Sequence, residues 1–239
     1  MEEVVELSAG DTAWVLTSAA IVLFMTPGLA FFYGGMVRAK NVLGMLMQNF
    51  FCMGMMSLVW AVIGYSIAFG DDNGFWGGFD YFALQDLTAG DGAIPHVAFV
   101  AFQMMFAVIT PALITGGSAD RMKFSAFAVF VTLWSIFVYS PIAHWVWGTN
   151  GWLLERGALD FAGGTVVHAN AGIAAIVLAL VLGKRRGWPN GDFRPHNVPF
   201  VLLGAGILWL GWFGFNAGSA LGANKVAAYA LLNTQIAAG

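Results

Sequence analysis

The strongest constraint on this chain is a series of six apolar runs, at residues 12–33, 42–69, 97–116, 124–145, 163–182 and 198–221. Each is long enough to cross about 30 Å of hydrocarbon as a helix. Hydrocarbon offers no partner to a bare peptide group, so such runs fold as helices that satisfy their own N–H and C=O groups. The charge content agrees with a lipid solvent. Asp, Glu, Lys and Arg make up 10% of the 239 residues, against about 25% in a soluble domain, too few to solvate a globule in water. The 31 glycines suit helices whose backbones approach closely inside a bilayer. The expected fold is an all-α polytopic membrane protein, one membrane domain over 1–239 with no soluble domain. A seventh run starts at Val226 and reaches Gly239 after 14 residues, where a perpendicular span needs about 20. The chain is therefore expected to end within a seventh transmembrane helix, as part of a longer product.

Orientation follows from Lys and Arg, which stay cytoplasmic when they lie in short loops. Arg38, Lys40, Arg121, Lys123, Lys184, Arg185, Arg186 and Arg194, eight of the ten cations, fall in the first, third and fifth loops. Arg156 and Lys225 fall on the other side with Glu2, Glu3, Glu6, Asp11, Asp71, Asp72, Asp80, Asp86, Asp91, Glu155 and Asp160. The amino terminus is expected outside, in a multi-pass protein of the cell membrane. No basic region precedes the first span, so no cleaved signal is visible. Residues 70–94, acidic, Gly-rich and aromatic, read as an ordered cap over the outer mouth. Pro27, Pro111 and Pro141 lie inside spans and are expected to kink them.

Several function classes drop out. The cations are confined to short loops and gather on no single face, which excludes nucleic-acid binding. Cys52 is the only cysteine, so a disulfide framework or a cysteine-rich metal site is excluded. No Ser/His/Asp order, metal-ligand spacing or phosphate loop points to an enzyme, and nothing asks for a cofactor.

A titratable or strongly polar residue at membrane depth is costly, and each one is a functional candidate. His168 reads as lying near the middle of the fifth span, with Gly164 and Gly172 one turn away on either side. Such neighbours let a partner helix approach and leave the imidazole in a narrow space, as a pore or relay group or as a simple interhelical hydrogen bond. Asp160, eight residues earlier, either binds a cation or caps the fifth helix by accepting backbone N–H groups. In the sixth span Trp212, Phe215 and Ser219 share one face, beside a small-residue stripe of Gly211, Gly214, Gly218 and Gly222. Phe102, Phe106 and Ile109 share a face of the third span, and Trp147 follows the fourth. A Trp face attracts cations by about 0.5–2 kcal/mol, so a Trp beside a Ser hydroxyl suits a small hydrogen-bonding cation. Single aromatics also pack against lipid, the simpler reading for Trp145.

The stretches Asp160-Phe-Ala-Gly-Gly-Thr-Val-Val-His168 and Gly211-Trp-Phe-Gly-Phe-Asn-Ala-Gly-Ser219 resemble the Amt/Mep/Rh ammonium transporter family, in its bacterial and archaeal Amt branch. Pro27-Gly-Leu-Ala-Phe-Phe-Tyr-Gly-Gly-Met-Val-Arg-Ala-Lys-Asn41 and His144-Trp-Val-Trp-Gly148 are similar to it as well, and the likeness runs from about Asp11 to the end. The resemblance implies a homotrimer with one pore per subunit, each built from inverted five-helix repeats. Residues 12–182 would be the first repeat and 198–239 the start of the second. It implies that Trp147, Ser219 and Phe106 form an outer ammonium site supported by Asp160, and that Phe106 and Phe215 are a stacked gate. Phe102 and Trp212 would be pore neighbours, and His168 the first of two pore histidines, the second lying beyond Gly239. A cytoplasmic P-II regulatory protein is an implied partner.

An intact cation in an apolar pore costs on the order of tens of kcal/mol in the Born limit. Ammonium avoids that cost by leaving its proton at the outer site and crossing as ammonia, with His168 carrying the proton. Two other readings stay open: an ammonium sensor feeding a cytoplasmic signalling module, and an electroneutral ammonia or gas channel.

Overall fold

The computed structural model describes residues 6–87 and 92–239. Glu2, Glu3 and Asp91, counted above among the outer carboxylates, lie outside the described residues. All six apolar runs are helices: α1 Ala9–Met36, α2 Ala39–Phe69, α3 His96–Ser118, α4 Phe124–Trp147, α5 Gly164–Leu182 and α6 Val198–Ala217. A shorter α7, Lys225–Ala238, follows. Side chains start three of them. Ser8 Oγ accepts from Asp11 N at 3.2 Å, Asn197 Oδ1 from Phe200 N at 3.0 Å, and Asn224 Oδ1 from Val226 N at 2.9 Å. These are the acceptors that the free N–H groups of a helix start require.

The most extensive helix pair is α1 with α6, and glycine makes it so. A Cβ on Gly204 would sit 2.3 Å from Phe32 N and 2.5 Å from Gly28 O. One on Gly211 would meet Met25 Cγ at 1.8 Å, and one on Gly218 would meet Ser18 Cβ at 2.5 Å. The small-residue stripe expected on the sixth span therefore faces α1, where backbones can approach only without side chains between them.

The loops gather as the charge pattern implies. At the inner end Arg38 pairs with Asp120 at 3.2 Å, and Asn41 also donates to Asp120. Arg121 donates to Gly183 O at 2.8 Å, Ala179 O at 3.3 Å and Gly117 O at 2.5 Å. That guanidinium ties the carboxyl ends of α3 and α5, where a cation also meets the helix dipole favourably. Burial, then the neighbouring Arg185, pull the Arg121 pKa below its ordinary value, against Asp120, which raises it. At the outer end the described part of the expected cap is held by backbone bonds, Gly77 N to Ile67 O at 2.9 Å and Trp152 N to Gly74 O at 2.8 Å, while residues 88–91 of that cap lie outside the described residues.

Two details differ from expectation, the end of α6 and the place of His168. α6 ends at Ala217 rather than continuing to 221, because the chain turns through Gly218 and a left-handed Leu221 at φ 53°. α1 and α3 run on through Pro27 and Pro111, whereas Pro141 follows a π turn at Ser135–Tyr139, with Ser140 Oγ donating to Ser135 O at 3.0 Å. His168 is only the fifth residue of α5, nearer its outer end than its middle. Two further π turns, Gly164–Ala169 in α5 and Phe213–Ala217 in α6, contain His168 and Phe215. One residue is added per such turn, which re-aims the side chains that follow.

Candidate functional site

The site is built outward from Asp160. Its Oδ1 accepts from Gly163 N and Gly164 N, both at 2.7 Å, and its Oδ2 from Thr165 N at 2.8 Å and Val166 N at 3.0 Å. All four donors at the start of α5 are thereby met, in the place where negative charge also suits the helix dipole. Gly163 reaches this geometry at φ 96°, a conformation that glycine adopts without a Cβ penalty. Of the two roles considered for Asp160, the geometry is that of a cap. Its backbone carbonyl does a second job, accepting from Trp147 Nε1 at 2.8 Å and so fixing the indole plane. Trp147 is the last residue of α4 rather than a residue beyond it.

Above the aromatic pair Phe106–Phe215 lies a cavity of about 350 Å³ whose walls include Phe102, Gln103, Phe106, Trp147, Asp160 and Ser219. Phe106 and Trp147 pack edge to face, ring centroids 5.8 Å apart at 86°. Ser219 Oγ donates to Phe215 O at 2.8 Å. The polar inventory is one-sided as a result. The indole N–H, the Ser219 O–H and the first N–H groups of α5 are all spent within the protein. Beside the Gln103 amide, what they leave to an occupant is aromatic faces and the lone pairs of Ser219, a surface suited to a cation that brings its own N–H donors.

Phe106 and Phe215 close the floor of this cavity. Their centroids are 4.3 Å apart at 34°, and each side chain is 1% exposed. Beneath them is a second cavity of about 320 Å³, walled by Met25, Leu29, Ile109, Leu113, Val167 and Leu208 together with Trp212, Phe215, Tyr33 and His168. Tyr33 has already donated its hydroxyl to Leu113 O at 3.1 Å. His168 lies edge-on to Phe215 at 5.8 Å, with Nδ1 3.2 Å from Gly163 O. The imidazole is exposed within this chain, and a Cβ on Gly172 would touch nothing within 4 Å. The face on which a partner helix was expected is open here.

All eight residues singled out from the sequence thus come together on two cavities that share one aromatic wall. Two participants were missed. Gln103 lines the outer cavity from α3; an amide in the middle of an apolar run was the available signal. His144 is fully buried, its Nε2 2.6 Å from Asn73 O and its Nδ1 3.1 Å from Ala68 O, so it fastens the cap to α4 one turn before Trp147. Nothing but its place in the His144–Gly148 motif hinted at that.

Six membrane-length helices around two cavities define a polytopic α-helical membrane protein. Residues 13–239 match the Ammonium Transporter Family, and the chain belongs to it. It is 53% identical to an ammonium transporter of Mycobacterium tuberculosis over 95% of this chain and 54% of that protein. It is 46% identical to ammonium transporter Amt1 of Archaeoglobus fulgidus over 97% of this chain and 58% of that one. Among solved structures, Mep2 of Candida albicans superposes with a TM-score of 0.89 at 34% identity, covering 97% of this chain and 52% of that one. A protein described as a sensor Amt superposes with 0.90 at 33% identity, covering 95% of this chain and 59% of that one. The chain spans about half the length of the curated relatives it matches. The family is one of membrane transporters rather than enzymes, in keeping with the sequence analysis.

Proposed function

We propose that the protein carrying this chain moves ammonium across the membrane by taking it apart. Ammonium is drawn to the outer cavity by the π faces of Trp147 and Phe106 and the lone pairs of Ser219, with Asp160 holding the frame. It loses a proton there, because the apolar cavity beyond Phe106 and Phe215 solvates ammonia at little cost and a cation at a prohibitive one. Ammonia then passes the Phe106–Phe215 gate alongside Phe102 and Trp212. The proton left behind goes to His168, which lies edge-on to Phe215, and His168 passes it on toward the inner side, a task suited to an imidazole, which both donates and accepts.

The observation that carries this reading is the contrast in polarity across the gate: an outer cavity offering acceptors and aromatic faces, and an inner one that is mostly apolar, its polar groups being His168, the Trp212 indole N–H and a Tyr33 hydroxyl already committed to Leu113 O. The names of the relatives, ammonium transporters of bacteria and archaea, support it. With it go a homotrimeric assembly, a first inverted repeat at residues 12–182 with a second starting at 198–239, and a cytoplasmic P-II regulatory protein at the inner mouth. For that partner the exposed Lys184 and Arg186 offer positive charge, while Arg194 is paired with Asp192.

The test is the charge movement elicited by an ammonium jump on proteoliposomes holding the complete protein. A current that saturates with ammonium and is absent with potassium is expected. Ammonium binding with no current and no uptake would overturn transport and leave a sensor.

A further inference from the structure

Ser219 is carried on the short turn that follows α6, and that turn is shaped from outside itself. Ser219 and Leu221 both line the outer cavity, and Leu221 does so in the left-handed region, at φ 53°. A side chain at that angle crowds its own backbone, so the conformation persists only where neighbours hold it. The backbone bonds within the turn, Ala220 N to Ala217 O at 3.3 Å and Leu221 N to Gly218 O at 2.9 Å, close its first half only. The two ends are held by α1. Trp14 Nε1 donates to Ala217 O at 3.1 Å before Ser219, and Asp11 Oδ1 accepts from Ala223 N at 2.6 Å after Leu221. Glycine leaves room for this contact, since a Cβ on Gly222 would come within 2.9 Å of that same Asp11 oxygen. An Asp in the first turn of a helix usually serves only its own helix start. Here the carboxylate leaves α1 and reaches a donor 212 positions along the chain.

We infer that Asp11 is a positioning residue of the outer site, holding the turn at 218–223 so that Ser219 stands at the cavity. This inference rests on the ammonium reading and deepens it. Asp11 is not one of the residues lining the cavity, so it acts through Ser219 and not on the occupant. What the turn requires from it is an acceptor at that reach, which an asparagine amide oxygen also supplies. Without the acceptor Ala223 N is left unmet, Leu221 is released from its left-handed angle, and Ser219 two residues earlier shifts with it. The bond from Ser219 Oγ to Phe215 O fixes the rotation of the side chain and not the path of the backbone beyond it. A shifted hydroxyl weakens the hold on the cation, while passage beyond Phe106 and Phe215 is untouched. The consequence falls on half-saturation and spares the maximal current.

The experiment reads ammonium currents in proteoliposomes of the complete protein for wild type, Asp11→Ala, Asp11→Asn, Ser219→Ala and the double variant Asp11→Ala/Ser219→Ala. In Asp11→Ala the half-saturating concentration is expected to rise about three- to tenfold, up to the scale of a lost hydrogen bond to a charged ligand, with the maximal current per protein near wild type. Asp11→Asn removes the charge and keeps the acceptor, and is expected to stay near wild type. Ser219→Ala should raise the half-saturating concentration by itself, and adding Asp11→Ala to it should raise it little further, because the two residues act on one contact. Three results would each overturn the inference: a wild-type half-saturating concentration in Asp11→Ala, a rise in Asp11→Asn equal to that in Asp11→Ala, or effects that multiply fully in the double variant. The second would show that the carboxylate merely attracts cations to the outer mouth. If Asp11→Ala does not reach the membrane, Gly222→Ala decides, since its methyl group would push the Asp11 carboxylate off Ala223 N. A raised half-saturating concentration there supports the inference and a wild-type one overturns it. Absence of current in wild type would instead refute the transport reading, so the two failures are told apart.

Discussion

The two compartments that share the Phe106–Phe215 wall are built to different degrees. The outer one has walls from this chain on several sides: the end of α2, α3, the end of α4, the segment leading into α5 and the turn after α6, and the donors of Trp147, Ser219 and the start of α5 all have acceptors. The inner one has its apolar wall from α1, α3 and α6, yet its one histidine is exposed and Gly172 beside it faces open space. A binding site can thus be finished by local contacts, whereas a conduction path needs surfaces from both sides. The recognition chemistry is the more self-contained half of the account.

The largest effect should come from removing the keystone of the outer compartment. In Asp160→Ala four backbone N–H groups lose their acceptor and the indole of Trp147 loses its fixed carbonyl. A destabilisation on the order of 2–4 kcal/mol is expected, with loss of transport, read as a lowered melting temperature in detergent together with absent current. A melting curve like wild type would show that water replaces the carboxylate, and would break the claim that this compartment is held from within. Next in size, His168→Ala should abolish proton-coupled current while ammonium still binds at the outer site, measured as current beside equilibrium binding. An unchanged current would remove the relay from the inner compartment.

Trp147→Leu comes third. Loss of about 0.5–2 kcal/mol of cation–π attraction corresponds to about 2- to 30-fold weaker half-saturation and poorer rejection of potassium, seen by titrating both ions. Retained selectivity would reduce Trp147 to packing. Smallest of all should be Tyr33→Phe, since that hydroxyl is already committed to Leu113 O. A loss of about 1 kcal/mol in stability and an unaltered half-saturating concentration are expected. A changed concentration would mean that the inner compartment has a second polar participant.

How far these compartments could be read from sequence depended on the kind of signal. The helices were legible because hydrocarbon permits few alternatives, and the observed bounds fall within a few residues of the apolar runs. The two misjudged details have local causes. Left-handed Leu221 and the turn at Gly218 end α6 early, and apolar composition alone does not mark such a turn. The position of His168 was counted within a run, although its surroundings depend on the π turn that carries it. Trp147, Ser219, Phe106 and Phe215 were found through motifs, and no periodicity would have brought together residues from α4, α3 and either side of the end of α6. Charge at membrane depth does not mark Gln103 or His144. An amide unmet inside a cavity and a histidine fastening a loop show themselves only once their neighbours are known.

The central claim is that the cation is dismantled at the outer compartment and that its proton travels separately past His168. It is tested most directly by measuring charge and nitrogen together, with isotopically labelled ammonium entering proteoliposomes of the complete protein under voltage clamp. The account predicts charge accompanying nitrogen in a fixed ratio that does not change with ammonium concentration. Nitrogen entering with no net charge would contradict it and leave an electroneutral ammonia channel.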